Sequence, residues 1–328
     1  MRRRTVLQLP LLAGAAFDQA LQAAERQLEP QFDLPGSLRF GVIGDSGSGK
    51  PAQLRVASRM RNWHSKQPWD FVAMMGDNIY ENGNPKYFDS KFVDIYRDMI
   101  EEGVRFHATL GNHDVRYRDG HDMVQEEAFG FVGRKPEYEF FAGPTLADGK
   151  RLARFICLNT NDWIDAIDGQ DRKTQDRLVG SLRERLRDAD KSHWNIFYFH
   201  QPIYSFVKPG FLGIISRGHG GSEALRQVLE PEIREYADLV MAGHDHFYQK
   251  IRPQHGVHHL ISGAAGKLRK GGDNSNPQVE SGHQEFHFMD FSLGEDSLHY
   301  QAINDRGQRI HSGRIDKRGA RRLVDIAV

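Results

Sequence analysis

Gly76-Asp77-Asn78-Ile79-Tyr80 is the stretch around which this chain is organised. It follows the apolar run 71–75, which predicts a buried strand that ends at a glycine. Acidic residues at the end of a strand stand where an open α/β sheet binds its ligands. Tyr80 comes three residues after Asp77, so one turn of backbone can direct both side-chain oxygens to one point. Taken alone, the pentapeptide is also ordinary turn chemistry.

Four other stretches have the same construction, an apolar strand-like run followed by a loop that begins with metal-ligand residue types. They are Gly44-Asp45-Ser46-Gly47, Gly111-Asn112-His113-Asp114, Phe199-His200-Gln201-Pro202 and Gly243-His244-Asp245-His246. Five strand ends that share one chemistry are not a turn pattern, and they indicate a common site.

The apolar pattern between these motifs predicts alternating strands and helices. Three sets of residues have helical spacing: Leu54, Val56, Ala57, Met60 and Trp63; Phe88, Phe92, Ile95 and Met99; Leu178, Leu182 and Leu186. Pro51 stands at a first helical position, and Pro231 kinks or divides a helix predicted over 223–236. The alternation favours βαβ units with largely parallel strands, and antiparallel strands are predicted over 258–262, 286–293, 297–303 and 309–315.

Two segments between the predicted elements are polar. Residues 159–172 carry four aspartates, which favours a solvated surface loop, while Trp163 in its middle suggests a lid with an exposed aromatic ring as the alternative. Residues 267–282 are rich in Gly, Asn, Ser and Lys, and we expect them to be mobile.

Composition excludes several classes of protein. The 328 residues, 39% of them hydrophobic, suffice for a large core. Lys plus Arg and Asp plus Glu both number 44, so the chain lacks the one-sign charge excess of a general nucleic-acid or membrane-surface binder. Cys157 is the only cysteine, which excludes a disulfide framework and a thiolate metal site. No apolar run is long enough for a stable membrane insertion.

The N-terminus carries a basic segment followed by apolar residues. The run Arg3-Arg4-Thr5-Val6-Leu7-Gln8 resembles a twin-arginine export signal, and Ala13-Gly14-Ala15 offers a small-residue cleavage site. The alternative is a basic, frayed terminus that leads into a helix. We expect residues 1–34 to be an export signal with an N-terminal extension, and the protein to be periplasmic or secreted.

Seven side chains in the five motifs offer oxygen or nitrogen ligands: Asp45, Asp77, Tyr80, Asn112, His200, His244 and His246. The set is too rich for one metal ion and suits two ions that share a carboxylate. Carboxylate, phenolate and imidazole without thiolate favour iron, zinc or manganese. Because a phenol with a pKa of about 10 ionises at neutral pH only beside a strong cation, a tyrosinate ligand indicates a trivalent ion, Fe(III). Such a pair keeps a net positive charge that attracts a phosphate ester.

The five motifs, in this order, resemble those of the metallophosphoesterase superfamily and specifically of the purple acid phosphatases. The resemblance runs from Phe40 to about Gly266, and the layout is most similar to the tartrate-resistant, mammalian-type branch. The wider superfamily usually has Asp-X-His in its first motif. This chain has Asp45-Ser46-Gly47, and Tyr80 supplies what would be the missing ligand. The resemblance implies a mixed α/β fold, a four-layer αββα sandwich of two mixed sheets flanked by helices, with 35–328 as the catalytic domain.

The resemblance also implies roles for individual residues. Asp45, Tyr80 and His246 would hold Fe(III); Asn112, His200 and His244 would hold a divalent Fe, Zn or Mn ion; Asp77 would bridge the two. His113 would contact the phosphate and protonate the leaving alkoxide, Asp114 would orient His113, and His219 would be a second pocket histidine. Asn78 and Tyr204 are further pocket candidates, whereas His64, His193, His255 and His299 are interpreted as surface or core residues.

The leading functional hypothesis is an acid phosphatase, a hydrolase of small-molecule phosphate monoesters in which a metal-bound hydroxide attacks phosphorus. We expect a monomer or small homo-oligomer. A phosphodiesterase with the same metals is the alternative, and the breadth of the pocket at 116–122 and 159–172 separates the two. A non-catalytic metal or phosphate binder is a third class, but such a protein should have lost ligands, and none is lost here.

Overall fold

Two β-sheets pack face to face in this protein, and helices cover their outer surfaces. The computed structural model describes residues 37–208 and 218–317, so the predicted export signal lies outside the described residues. Thirteen strands are present in these ranges: β1 (Leu38–Ile43), β2 (Phe71–Met74), β3 (Arg105–Ala108), β4 (Tyr138–Thr145), β5 (Arg151–Cys157), β6 (Ser192–Phe199), β7 (Leu239–Ala242), β8 (Tyr248–Gln254), β9 (Val257–Ser262), β10 (Val279–His283), β11 (His287–Leu293), β12 (Ser297–Asn304) and β13 (Arg309–Asp316).

Six α-helices occur in the same described ranges: α1 (Pro51–His64), α2 (Asp94–Glu101), α3 (His121–Gln125), α4 (Thr160–Asp168), α5 (Arg172–Leu186) and α6 (Glu223–Ile233). Pro51 begins α1, as its fixed φ and missing N–H favour. Pro231 lies inside α6, which ends two residues later at Ile233, earlier than predicted. The stripe predicted from Phe88 to Met99 is divided between a π-helical turn, Asp89–Val93, and α2.

Both sheets are mixed, as the four-layer sandwich requires. The six-stranded sheet has the order β13-β12-β11-β1-β2-β3 and the seven-stranded sheet the order β10-β8-β9-β7-β6-β5-β4. Strands β1, β2 and β3 run parallel to one another, and so do β5, β6, β7 and β9. The other pairings are antiparallel, so the prediction of largely parallel strands holds only for one half of the six-stranded sheet and for the centre of the seven-stranded sheet. Strand β9 is also not grouped with β11–β13 as predicted, because it pairs with β7 and β8.

The core between the sheets is aromatic at its centre. Phe40 on β1 stacks on Phe71 and Phe291 within its own sheet, with ring centroids 5.3 and 4.7 Å apart. Its ring also meets Phe155 of the other sheet edge-on at 5.1 Å. A second apolar cluster lies on the outer face of the seven-stranded sheet, beneath α4, α5 and α6. Helices α1 and α2 lie against the six-stranded sheet.

Two sequence predictions in this part of the molecule were wrong. Leu54, assigned to the buried face of α1, has 50% of its surface exposed. Residues 159–172 are neither a surface loop nor a lid, because 160–168 form α4. Trp163 is buried there, and its indole N–H donates to Glu137 at 2.9 Å. The four aspartates favoured a loop prediction, although the segment 160–168 forms an amphipathic helix. The segment 267–282 includes the first four residues of β10, and its backbone forms hydrogen bonds with neighbouring loops; its mobility stays a prediction.

No helix within residues 37–208 and 218–317 has both the length and the apolar character needed to cross a membrane.

Removal of the Phe40 ring should measure how much the core between the sheets contributes to the free energy of unfolding. We expect Phe40→Ala to lower the free energy of unfolding by about 3–5 kcal/mol, because it leaves a cavity among three other rings. Leu54→Ala is the control on a helix surface and should change it by less than about 0.5 kcal/mol. Urea unfolding followed by circular dichroism checks both values. Equal losses in the two variants would contradict the assignment of Phe40 to the core.

Candidate metal centre

The five motif loops meet at one end of the sandwich. Asp45, Asp77 and Asn112 follow β1, β2 and β3, which are parallel neighbours in the six-stranded sheet. His200 and His244 follow β6 and β7, which are parallel neighbours in the other sheet. Because the carboxyl ends of parallel strands lie at the same edge, each sheet brings its own ligands together. The site therefore spans both sheets.

Three of the predicted ligand atoms form a close triangle. The Tyr80 Oη lies 3.1 Å from Oδ1 of Asp45 and 3.2 Å from Nε2 of His246. The third side, from His246 Nε2 to Asp45 Oδ1, is also 3.2 Å. All three side chains are buried. We call this set the tyrosine triad.

A second triangle has nearly the same size. Oδ1 of Asn112 lies 3.0 Å from Nε2 of His200 and 3.1 Å from Nδ1 of His244. The two imidazole nitrogens are 3.1 Å apart. Nδ1 of His200 lies 2.8 Å from the carbonyl oxygen of Met75, and the donor must be the ring, so the lone pair of Nε2 is free to bind a metal. We call this set the histidine triad.

Asp77 connects the two triads. Its Oδ1 lies 3.4 Å from Nε2 of His200 and accepts the backbone N–H of His113 at 2.9 Å. Asp45, Asp77 and His200 each offer a ligand atom within 4.8 Å of the others. Asp77 thus lies close to ligand candidates of both triads, as the predicted bridging role requires.

The spacing within each triad fits a metal ion. Ligand atoms about 2.0–2.2 Å from an ion, at right angles to one another, are separated by about 2.8–3.1 Å. The observed separations of 3.0–3.2 Å match this spacing within small side-chain shifts. Lone pairs of an amide oxygen and neutral imidazoles repel one another at such distances unless one ring donates its N–H or a cation lies among them. Both triads therefore fit a metal ion, and together they fit two.

The protonation states of the site also suit metal binding. Burial, followed by the charge of Arg269, lowers the pKa of His246 to about 4. Burial and the neighbouring His200 lower the pKa of His244 as well. Neutral imidazole is the form that binds a metal. Burial and the carboxylates of Asp45 and Asp77 raise the pKa of Tyr80 well above 10, so the side chains alone keep the phenol protonated.

Three of the predicted ligand residues have strained backbones. Asp45, Asp77 and His244 have φ values of 54°, 52° and 69°, in the left-handed region that residues with a Cβ seldom adopt. Such conformations cost on the order of 1–3 kcal/mol each and persist where the surroundings enforce them. The left-handed conformation turns the backbone sharply after each strand, and this turn directs the side chain into the site.

Gly47 and Tyr80 are linked by the packing of their loops. The Gly47 N–H donates to the Asp77 carbonyl at 3.2 Å, and the Tyr80 N–H donates to the Gly47 carbonyl at 2.9 Å. A Cβ at Gly47 would lie 1.9 Å from the carbonyl oxygen of Asn78. The histidine that the wider superfamily carries at this position would force the two loops apart. The glycine at position 47 therefore makes room for the loop that carries Tyr80, a predicted ligand.

Asp114 does not have the predicted role. Its carboxylate accepts N–H bonds from three backbone amides, Gly111 of its own motif and Asn78 and Ile79 of the Asp77 motif, at 2.8–3.0 Å. Burial, followed by the charge of Asp77, raises the pKa of Asp114 to about 8, while these amides act in the opposite direction. The Glu81 carbonyl oxygen, 2.7 Å from Nδ1 of His113, orients that ring instead. Asp114 joins two ligand loops.

His219 lies beside the histidine triad, at the open side of the site. Its ring is tilted by 33° against that of His244, with centroids 4.1 Å apart. The buried carboxylate of Asp245 accepts the backbone N–H groups of His219 at 2.7 Å and of Gly220 at 3.0 Å, and it also bonds Ser205. Asp245 lies within the His-Asp-His motif, and no role was predicted for it from the sequence. Its place between two ligand histidines was the available signal.

The remaining pocket candidates lie away from the open site. Asn78 is fully buried, and its amide nitrogen donates to the Thr109 carbonyl at 2.8 Å and to Asp114 at 2.9 Å. Tyr204 packs in the helix-covered cluster, where its hydroxyl donates to Glu230 at 2.7 Å. Both side chains have structural contacts that account for them.

Comparison with known proteins gives a consistent result. The calcineurin-like phosphoesterase family matches residues 38–248. Tartrate-resistant acid phosphatase type 5 of Oryctolagus cuniculus is 26% identical over 287 residues, which cover 79% of this chain and 82% of that protein. Purple acid phosphatase 17 of Arabidopsis thaliana is 28% identical over 277 residues, covering 78% of this chain and 77% of that protein.

Among solved structures, GAP50 of Plasmodium, an anchor in the inner membrane complex, superposes with a TM-score of 0.72 at 20% identity. The match covers 86% of this chain and 90% of that one. At 20% identity this similarity shows a shared fold and gives no information about chemistry.

The central position of Asp77 predicts a shared loss of metals. We expect Asp77→Asn to lose both ions together, because the amide weakens a ligand common to both triads. Metal analysis of the purified variant checks this. Asp290→Asn is the matched control, since it neutralises another buried carboxylate, one that bonds Arg39 and Trp69 away from the triads, and it should keep both ions. Near-full occupancy by two metals in Asp77→Asn would refute the bridging position.

Proposed function

The chain belongs to the calcineurin-like phosphoesterase family, and from this premise we propose that it is a purple acid phosphatase-like enzyme that hydrolyses phosphate monoesters. It is a phosphate-ester hydrolase of the binuclear-metal type. The observation that carries the proposal is the pair of ligand triads joined by Asp77. Its relatives named tartrate-resistant and purple acid phosphatases support the monoester activity.

The two triads differ in charge, and this difference favours a trivalent ion in one and a divalent ion in the other. The tyrosine triad offers a carboxylate and a phenol whose pKa burial raises, so only a strongly polarising cation would hold it as tyrosinate. Fe(III) suits that position. The histidine triad is neutral apart from the shared Asp77, and it suits a divalent iron, zinc or manganese ion. Bound there, the two ions would supply Lewis-acid activation of water and neutralise phosphate charge.

His113 is the residue we propose for proton transfer to the leaving group. Its Nδ1–H donates to the Glu81 carbonyl, and its Nε2 faces the site, 4.0 Å from Asp77 Oδ2. The proton on Nε2 would pass to the alkoxide oxygen as the bond from phosphorus to oxygen breaks. Burial lowers the pKa of His113, which makes the protonated ring a stronger acid.

We keep the periplasmic or secreted location as a proposal that rests on the Arg3-Arg4 segment alone. A monomer or small homo-oligomer likewise remains a prediction.

The leaving-group role of His113 predicts a dependence on the ester. We expect His113→Ala to keep both metals and to lower kcat by about 10²–10⁴ for alkyl phosphates, as is typical for loss of a general acid. Nitrophenyl phosphate should lose less, because its leaving group departs without a proton. His255→Ala, at a site where 55% of the side chain is exposed, is the control and should leave kcat unchanged. Equal losses for both esters would count against the proton transfer.

The tyrosine ligand predicts a colour. A tyrosinate bound to Fe(III) transfers charge to the metal, so the oxidised protein should be purple to pink. We expect Tyr80→Phe to abolish this visible absorption band and to bind iron less tightly, while some activity persists. Tyr198→Phe is the control, because Tyr198 is equally buried but bonded to Tyr138, and it should keep the band.

The test requires the absorption spectrum and the iron content of each protein. A wild type with full iron and no band, or a Tyr80→Phe variant that keeps it, would show that Tyr80 is not a ligand. The protein would then be a generic two-metal phosphoesterase.

A further inference from the structure

A short basic loop follows β9 and approaches both triads. It contains Lys267 and Arg269, and its backbone is attached to the motif loops. The Ala265 N–H donates to the Gly44 carbonyl at 3.0 Å, and the Arg269 N–H donates to the His246 carbonyl at 2.9 Å. Between them, a Cβ at Gly266 would lie 2.0 Å from the carbonyl oxygen of Ser46. The same loops that carry the ligands therefore determine where these two cations stand.

Lys267 lies over the tyrosine triad. Its ammonium nitrogen is 3.5 Å from the centroid of the Tyr80 ring, and it forms an ion pair with Glu81 at 3.1–3.2 Å. The lysine side chain is 23% exposed and the glutamate 68%. Exposed ion pairs are worth about 0–1 kcal/mol, so an anion arriving from solution can replace Glu81 as the partner of Lys267.

Arg269 lies over the histidine triad. Its Nη1 donates to Nε2 of His219 at 2.9 Å, and the His219 ring in turn lies against His244. A guanidinium carries five N–H donors in a planar fork, and this contact uses one of them. The remaining donors suit a carboxylate or a phosphate, which the planar fork binds through two parallel hydrogen bonds.

Neither cation belongs to the seven ligands, and both lie at the open side of the site. The scissile phosphate would be held by the ions in the two triads. Lys267 lies over Tyr80, whose ring contacts that of His113, the proposed proton donor to the leaving oxygen. The alcohol portion of the substrate would therefore lie on the side of Lys267 and Arg269. A neutral alcohol would gain nothing from two cations there. An alcohol portion with its own negative charge would be attracted by both cations.

We infer that Lys267 and Arg269 form a subsite for a second anionic group, so that the enzyme prefers phosphate esters whose alcohol portion carries a carboxylate or another phosphate. This inference rests on the proposed phosphatase function and names the substrate class of the same site. Glu81 competes with that anion for Lys267.

Two matched pairs of esters test the preference. Phosphoglycolate and ethyl phosphate differ by one carboxylate, and the bisphosphate and monophosphate of ethylene glycol differ by one phosphate. For each pair the measured quantity is the ratio of kcat/KM for the doubly anionic ester to that for its partner. Within a pair, changes that affect both esters alike, such as a disturbed His219, cancel.

We expect Lys267→Gln and Arg269→Gln each to lower the ratio by about fivefold, mainly through KM, which is the scale of one exposed ionic contact. Glu81→Gln should raise the ratio, because it frees Lys267. Lys270→Gln is the matched control, since it removes the same charge from the same loop at an exposed residue and should leave the ratio unchanged. Metal content and the visible spectrum of each variant show whether the triads are intact.

The outcomes separate the two proposals. A Lys267-dependent ratio in the first pair assigns a carboxylate to the subsite, and in the second pair a phosphate. If the wild type hydrolyses all four esters and Lys267→Gln changes no ratio, or Lys270→Gln lowers it equally, the subsite is refuted while the phosphatase function stands. If the metal-loaded wild type hydrolyses none of the monoesters, including nitrophenyl phosphate, the proposed function itself fails.

Discussion

The burial of two carboxylates side by side is the constraint on which the rest of this structure depends. Burial and the proximity of Asp77 raise the pKa of Asp45, and burial also opposes ionisation of Asp77, which His200 and His113 offset. Unpaired buried charges are costly, and a protein tolerates them where cations or N–H donors compensate. Each carboxylate accepts one backbone N–H, from His244 for Asp45 and from His113 for Asp77. Two metal ions would supply the rest of the compensation.

The sandwich can place these carboxylates together with the imidazole ligand candidates because the parallel strands of both sheets end at the same edge of the molecule. Neither sheet alone holds a complete triad with its bridge: the tyrosine triad takes His246 from beyond β7, and the histidine triad takes Asn112 from beyond β3. Packing of the sheets through Phe40 and Phe155 sets the distance between the two groups. The stability of the core and the geometry of the site are therefore coupled, and a change between the sheets should reach the ligands.

Around the ligands, several polar residues hold loops rather than ions. Asp114 accepts backbone N–H groups from two motif loops, and Asp245 accepts those of His219 and Gly220 together with the Ser205 hydroxyl. Glu81 orients His113 through its carbonyl oxygen and pairs with Lys267 through its carboxylate. The chemistry of the site thus depends on residues one contact away from the ligands.

Sequence by itself determined the ligand types, the strands that carry them and the two mixed sheets expected from the family resemblance. These features are local: an apolar run, a turn and a donor side chain lie within about ten residues of one another, as the short strand-and-loop units of such folds do. Tertiary structure alone decided that Asp114 faces backbone amides, that Trp163 is on the buried face of α4, and that Lys267 and Arg269 reach the site. Each of these outcomes depends on pairing between distant segments, such as β9 with β7 and β8. A side chain's partner is then set by sheet geometry, which no local spacing encodes.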